Sequence, residues 1–100
     1  MYNFGEVILA KVQYTDTFEI KKRPALVLFE EFGNIVIAGI TSNTKIEGVP
    51  LTREEGALKE SIIKLNYIFT ISKKMVDRKL FSISKEKREK IREELIKKLE

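Results

Sequence analysis

Two apolar runs of strand length, Ala25-Leu26-Val27-Leu28-Phe29 and Ile35-Val36-Ile37-Ala38-Gly39-Ile40, flank the turn signal Glu31-Phe32-Gly33-Asn34. This pairing constrains the fold more than any other feature. A near-continuous apolar run reads as a strand buried on both faces, and the glycine-containing turn makes the second run the other half of a hairpin. In such a hairpin the start of one strand lies beside the end of the next, so Arg23, just before Pro24, is a spatial neighbour of Thr41.

Further elements follow the same logic. Glu6 to Tyr14 is rich in β-branched and apolar residues and reads as a first strand, with a polar loop from Thr15 to Lys22 in which Phe18 and Ile20 can pack down. Gly48-Val49-Pro50-Leu51 reads as a short edge strand, because proline is tolerated at an edge. Thr52 to Glu60 is turn-like, Ser61 to Ile71 supplies one long bent strand or two short ones, and Asp77 to Ile83 adds a last short strand. Ser84 is a plausible N-cap for a helix over Lys85 to Leu99, with Ile91, Leu95, Ile96 and Leu99 on one face. Glu86/Lys90, Glu93/Lys97 and Glu94/Lys98 provide i,i+4 pairs on the outside. Five or more short strands in 100 residues favour one mainly β domain over residues 1–100, a small barrel with a C-terminal helix.

Composition narrows the chemistry. The chain has no His and no Cys, so Cys or His zinc sites, Cys nucleophiles, Ser/His/Asp triads and His acid–base pairs are excluded. Any catalysis must use carboxylates, hydroxyls, Lys, Arg or Tyr, or a metal held by oxygen. The start lacks a basic region followed by an apolar stretch, and no apolar run approaches the roughly 18 residues of a spanning helix. A soluble cytoplasmic protein with no membrane association is the expectation.

The net charge of +4 is unevenly distributed. Residues 1–60 carry 7 Lys/Arg and 9 Asp/Glu, whereas residues 61–100 carry 12 and 6. A basic back half suits an anionic partner, nucleic acid or an acidic protein segment, although solvated lysines on a helix face account for much of it.

Arg23 is the first candidate for a site. A guanidinium whose stem is fixed by a strand and whose fork faces a loop can clamp a phosphate or carboxylate, and Lys21 and Lys22 raise the local potential. Thr41 and Ser42 bring hydroxyls to the same place, though such residues also simply terminate strands and cap turns. Donors converging in this way can stabilise charge developing on a phosphodiester. Thr15 and Asp16 offer a hydroxyl and an acceptor from the first loop. Tyr14, Phe18 and Tyr67 are possible stacking platforms for bases or else core residues, and Lys64 and Asn66 share a face of their strand.

Gly5-Glu6-Val7, Lys22-Arg23-Pro24-Ala25-Leu26-Val27-Leu28, Ile40-Thr41-Ser42, Ser61-Ile62-Ile63-Lys64-Leu65-Asn66 and Phe69-Thr70-Ile71 together resemble the MazF/PemK toxins of type II toxin–antitoxin systems, in order over roughly residues 4 to 84. The resemblance implies an SH3-like barrel with a C-terminal helix and a homodimer. It also implies an activity, metal-independent cleavage of single-stranded RNA by attack of a ribose 2′-OH, with no cofactor. Carried over, the catalytic arginine falls on Arg23 and the hydroxyl pair on Thr41 and Ser42, with Thr15, Asp16, Lys22, Lys64 and Asn66 available to bind substrate. The expected regulator is an antitoxin whose acidic, disordered segment covers the RNA groove.

One departure stands out. Where many members place an acidic residue two positions after a basic one on the later strand, this chain has Lys64-Leu65-Asn66. An amide orients but does not take up a proton at neutral pH, so Lys64, Asp16 or Glu19 shares the acid–base work, or catalysis is slow, or the site only binds. Two other readings are a catalytically weakened RNA-binding module and a non-catalytic inhibitor of a protein target such as gyrase, since CcdB shares this fold.

Overall fold

The hairpin forms at the predicted place. In a computed structural model, which describes residues 1–13 and 20–100, strands β2 (Lys21–Glu31) and β3 (Asn34–Thr41) are joined by Phe32 and Gly33 alone. Both of those residues are left-handed, with φ of 53° and 77°, the backbone signature of a type I′ turn, whose twist matches that of paired strands.

Around this hairpin are β1 (Glu6–Val12), β4 (Val49–Leu51), β5 (Ser61–Ser72), β6 (Val76–Ser82) and a helix, α1 (Lys85–Leu99). The six strands make one antiparallel sheet in the order β4-β5-β3-β2-β1-β6. It curls into a half-barrel with β4 and β6 as edges, so the mainly β architecture with a C-terminal helix is as the sequence indicates. Both edges are protected against further pairing: β4 by Pro50, and β6 by the exposed, charged Asp77, Arg78 and Lys79. Among the described residues no helix is long and apolar enough to cross a membrane.

Alternation along the strands divides the core between the two faces of the sheet. Val7, Leu26, Ala38 and Ile40 belong to one buried cluster, whereas their neighbours Ile8, Ala25, Val27 and Ile37 belong to another. α1 covers the first face. Ser84 caps it as expected, its Oγ accepting from the Lys87 N–H at 3.1 Å, and Ile91 is fully buried with Leu95 packed beside it.

The structure corrects the sequence reading in several places, and Ile20, expected to pack down, is 63% exposed. β2 begins at Lys21, so Lys21 and Lys22 are strand residues and not the end of a loop, and Arg23 and Pro24 lie inside the strand. Proline is admitted there because β2–β3 pairing runs no further than Ala25↔Gly39, one residue short of Pro24. β1 ends at Val12, two residues before Tyr14. On α1, Ile96 and Leu99 are 53% and 87% exposed: the face that packs is carried by Ile91 and Leu95, and at 3.6 residues per turn Ile96 points well away from Ile91. The helix ion pairs also differ: Glu94 meets Lys97 at 3.8 Å and Glu89 meets Arg92 at 2.8 Å, both spaced i,i+3.

Candidate anion-binding site

The parting of β2 from β3 creates the site. Beyond Ala25↔Gly39 the two strands are no longer paired, and the same register carried on places Arg23 opposite Thr41. A cavity of about 520 Å³ opens there, within the range of small-ligand pockets. Its floor is apolar, built from Val7 and Leu9 of β1, Ile40 of β3, Leu51 of β4 and Leu80 and Phe81 of β6. Lys21, Lys22, Arg23, Thr41 and Ser42 come from the two parting strand ends, and Gly56 to Lys59 with Ser61 complete the lining as a wall of loop residues.

The electrostatics favour an anion. Four cationic residues, Lys21, Lys22, Arg23 and Lys59, line the cavity, and no carboxylate does among the described residues. Low-dielectric walls with charge of one sign focus the potential on whatever enters. Arg23 is half-buried and its Nε is shielded from solvent, whereas the lysines are exposed. Lys22 is partly engaged: its Nζ lies 3.4 Å from Asp77 Oδ1, and Arg78 meets the other oxygen of that carboxylate at 3.2 Å.

Thr41 and Ser42 differ in role. Thr41 is half-buried, and its Oγ1 accepts the Asn43 N–H at 3.1 Å, while Asn43 Oδ1 accepts from Lys45 N at 3.1 Å. The hydroxyl run therefore does cap the turn after β3. Accepting one bond leaves the Thr41 O–H able to donate to a ligand oxygen. Ser42 is exposed at the cavity mouth.

Not all sequence candidates converge here. Arg23, Lys22, Thr41 and Ser42 do; Thr15 and Asp16, like Tyr14, Phe18 and Glu19, lie outside the described residues. β5 is irregular between Lys64, paired with Gly39, and Ile68, paired with Ala38, and the intervening bulge directs its polar residues elsewhere. Lys64 Nζ sits 3.5 Å from the centroid of the Tyr67 ring, and Tyr67 packs against the second core cluster. Asn66 lines a separate groove with Pro50, Lys90, Glu94 and Lys98. Conversely, Lys59 and the Gly56–Leu58 wall were not legible as site residues, since a turn-like segment carries no periodicity to say where it folds back. Among the described residues no group of three or more carboxylates is placed to hold a metal ion.

Comparison with known proteins adds to this geometry. The family model described as PemK-like, MazF-like toxin of type II toxin–antitoxin system matches residues 3–99. No curated protein matches in sequence. Among solved structures, the Mycobacterium tuberculosis toxin MazF-mt6 superposes with a TM-score of 0.73 at 21% identity, over 90% of this chain and 91% of that one. An endoribonuclease in complex with its cognate antitoxin, from a mycobacterial species, superposes with a TM-score of 0.75 at 17% identity, over 98% and 92%. At these identities the superpositions establish a shared fold.

Proposed function

The chain belongs to the PemK-like, MazF-like toxins of type II toxin–antitoxin systems, and from that premise we propose that it is a metal-independent endoribonuclease cutting single-stranded RNA in the cavity between β2 and β3. One observation carries the reading: Arg23 and Thr41, from the two strand ends that part, line one cavity whose charged lining is wholly cationic among the described residues. A solved structure of the same fold is an endoribonuclease bound to its antitoxin. In the reaction the ribose 2′-oxygen forms a bond to the adjacent phosphorus and the bond from phosphorus to the 5′-oxygen breaks. The products are a 2′,3′-cyclic phosphate and a 5′-hydroxyl, the proton passing from the 2′-OH to the leaving oxygen.

Arg23 is suited to the pentacoordinate intermediate. Its stem is held within β2, and a fixed guanidinium gains more from charge that builds up in the transition state than from the ground-state phosphate. Thr41 donates to a phosphate oxygen, and Lys21, Lys22 and Lys59 hold neighbouring phosphates. The active unit is a homodimer, and an acidic antitoxin segment competes with RNA for the same cations.

A second reading, a module that binds RNA without cutting it, is favoured by one observation: no described carboxylate lines the cavity, and Asn66 stands in another groove. One experiment separates the two. Purified protein is incubated with long single-stranded RNA in EDTA beside Arg23→Ala. Fragments with cyclic-phosphate ends, reduced at least about 10²-fold in the variant, support the nuclease. Fragments undiminished in Arg23→Ala would remove Arg23 from the site, and intact RNA with retained binding would establish the second reading.

A further inference from the structure

Lys87 lies in the first turns of α1, and its ammonium reaches away from its own helix. It donates to the Pro50 carbonyl oxygen at 2.7 Å, supplying a partner on the outer side of the edge strand β4, and it meets Glu55 Oε2 at 3.3 Å. Both side chains are less than a quarter exposed, Lys87 at 17% and Glu55 at 23%. Holding a lysine so still costs rotamer entropy, which these two contacts offset.

Glu55 is the hinge of the arrangement. Its Oε1 accepts from the Thr52 N–H at 2.9 Å and the Thr52 hydroxyl at 3.0 Å, while Oε2 faces Lys87. One oxygen thus ties the loop to itself and the other ties it to α1. The next residue, Gly56, has φ of 122° and lies against Phe81 so closely that a Cβ would come within 2.8 Å of the ring. Gly56 to Lys59 then line the same cavity as Arg23.

We propose that Lys87 is a positioning residue: through Glu55 and Pro50 it fixes the Gly56–Lys59 wall and so sets how tightly an RNA strand is held against Arg23. The inference rests on the RNA reading above. Arg23 and Thr41 stand on the ends of β2 and β3, whereas the polar partners of the Lys87 ammonium are Pro50 and Glu55, so its loss weakens substrate holding and leaves the chemical step in place.

The test compares wild type, Lys87→Met and Lys87→Arg in the full chain. Hydrogen exchange is followed at the Glu55, Gly56 and Ala57 amides, which donate to Thr52 O, Arg53 O and Thr52 O, alongside kcat and KM on a short fluorogenic single-stranded RNA. In Lys87→Met exchange should quicken about tenfold and KM should rise about fivefold, with kcat within about twofold, and arginine should restore most of both. Unchanged exchange, faster exchange with unchanged KM, or a fall in kcat alone would each overturn the proposal. If the wild type cuts no RNA, the nuclease reading falls, and the Kd for the same RNA replaces KM; a Kd unaltered by Lys87→Met then overturns the positioning role.

Discussion

The turn at the tip of the β2–β3 hairpin yields the most direct test of the backbone. Phe32 occupies the first left-handed position, φ 53°, and its side chain is 95% exposed. An L-residue in this region brings Cβ against the following carbonyl at a cost of roughly 1–2 kcal/mol, and asparagine bears that cost best among non-glycine residues. Because nothing is packed on the ring, replacing it forfeits almost no buried surface. Phe32→Asn should therefore stabilise the fold by about 0.5–1 kcal/mol, which in a 100-residue domain raises Tm by roughly 2–8 °C. Gly33→Ala is the control. At φ 77° an added Cβ meets nothing within 4 Å, so its cost of roughly 1–2 kcal/mol is purely conformational. Urea denaturation with matched m-values measures both changes. A Phe32→Asn variant less stable than wild type would refute the reasoning and show that the ring is covered by something in solution, a second copy included.

Three more outcomes follow from the structure. Ile91→Ala removes the fully buried side chain by which α1 grips the sheet and should cost about 2–5 kcal/mol in denaturant melts; a loss under about 1 kcal/mol would mean the helix is held elsewhere. Glu30 is held below the ordinary carboxylate value of 4.5 by the Tyr2 backbone N–H that donates to it, with Lys73 adding to the effect. For Glu55, burial pushes upward, but the bonds from Thr52 and the Lys87 ammonium prevail and lower it. Both groups thus contribute stability that is complete above the unfolded value and is lost as pH falls through the lowered folded one. Melts between pH 7 and 3 should show this decline below about pH 4.5, flattened in Glu30→Gln and Glu55→Gln, and identical slopes would contradict it. Asp77→Asn frees Lys22 from an exposed ion pair and should tighten single-stranded RNA binding about two- to fivefold at low salt; anisotropy titrations that show no change at any salt would take Lys22 off the RNA track.

The amino-acid chain alone makes legible the hairpin, the edge strand with Pro50, the capped C-terminal helix and the exclusion of histidine and cysteine chemistry, because turn residues, alternation and side-chain inventory are local properties. It brought Arg23 to the end of β3 as well, but the turn register alone pairs it with Ser42, and the irregularity between Val27 and Phe29 shifts that register by one residue to Thr41. The resemblance carried by the Arg-Pro-Ala-Leu-Val and Ile-Thr-Ser blocks led to the family. Long-range packing in the tertiary structure set the end of β2–β3 pairing at Ala25↔Gly39, which makes a cavity of what would otherwise be a closed ladder. It likewise decided that a bulge in β5 separates Lys64 and Asn66 from that cavity, and that Ile96 and Leu99 stay exposed. Lys59 and Lys87 became legible only there too, because their roles depend on how a loop folds back across the sheet. That is set by long-range packing against Phe81 and α1, and no spacing along the chain records it.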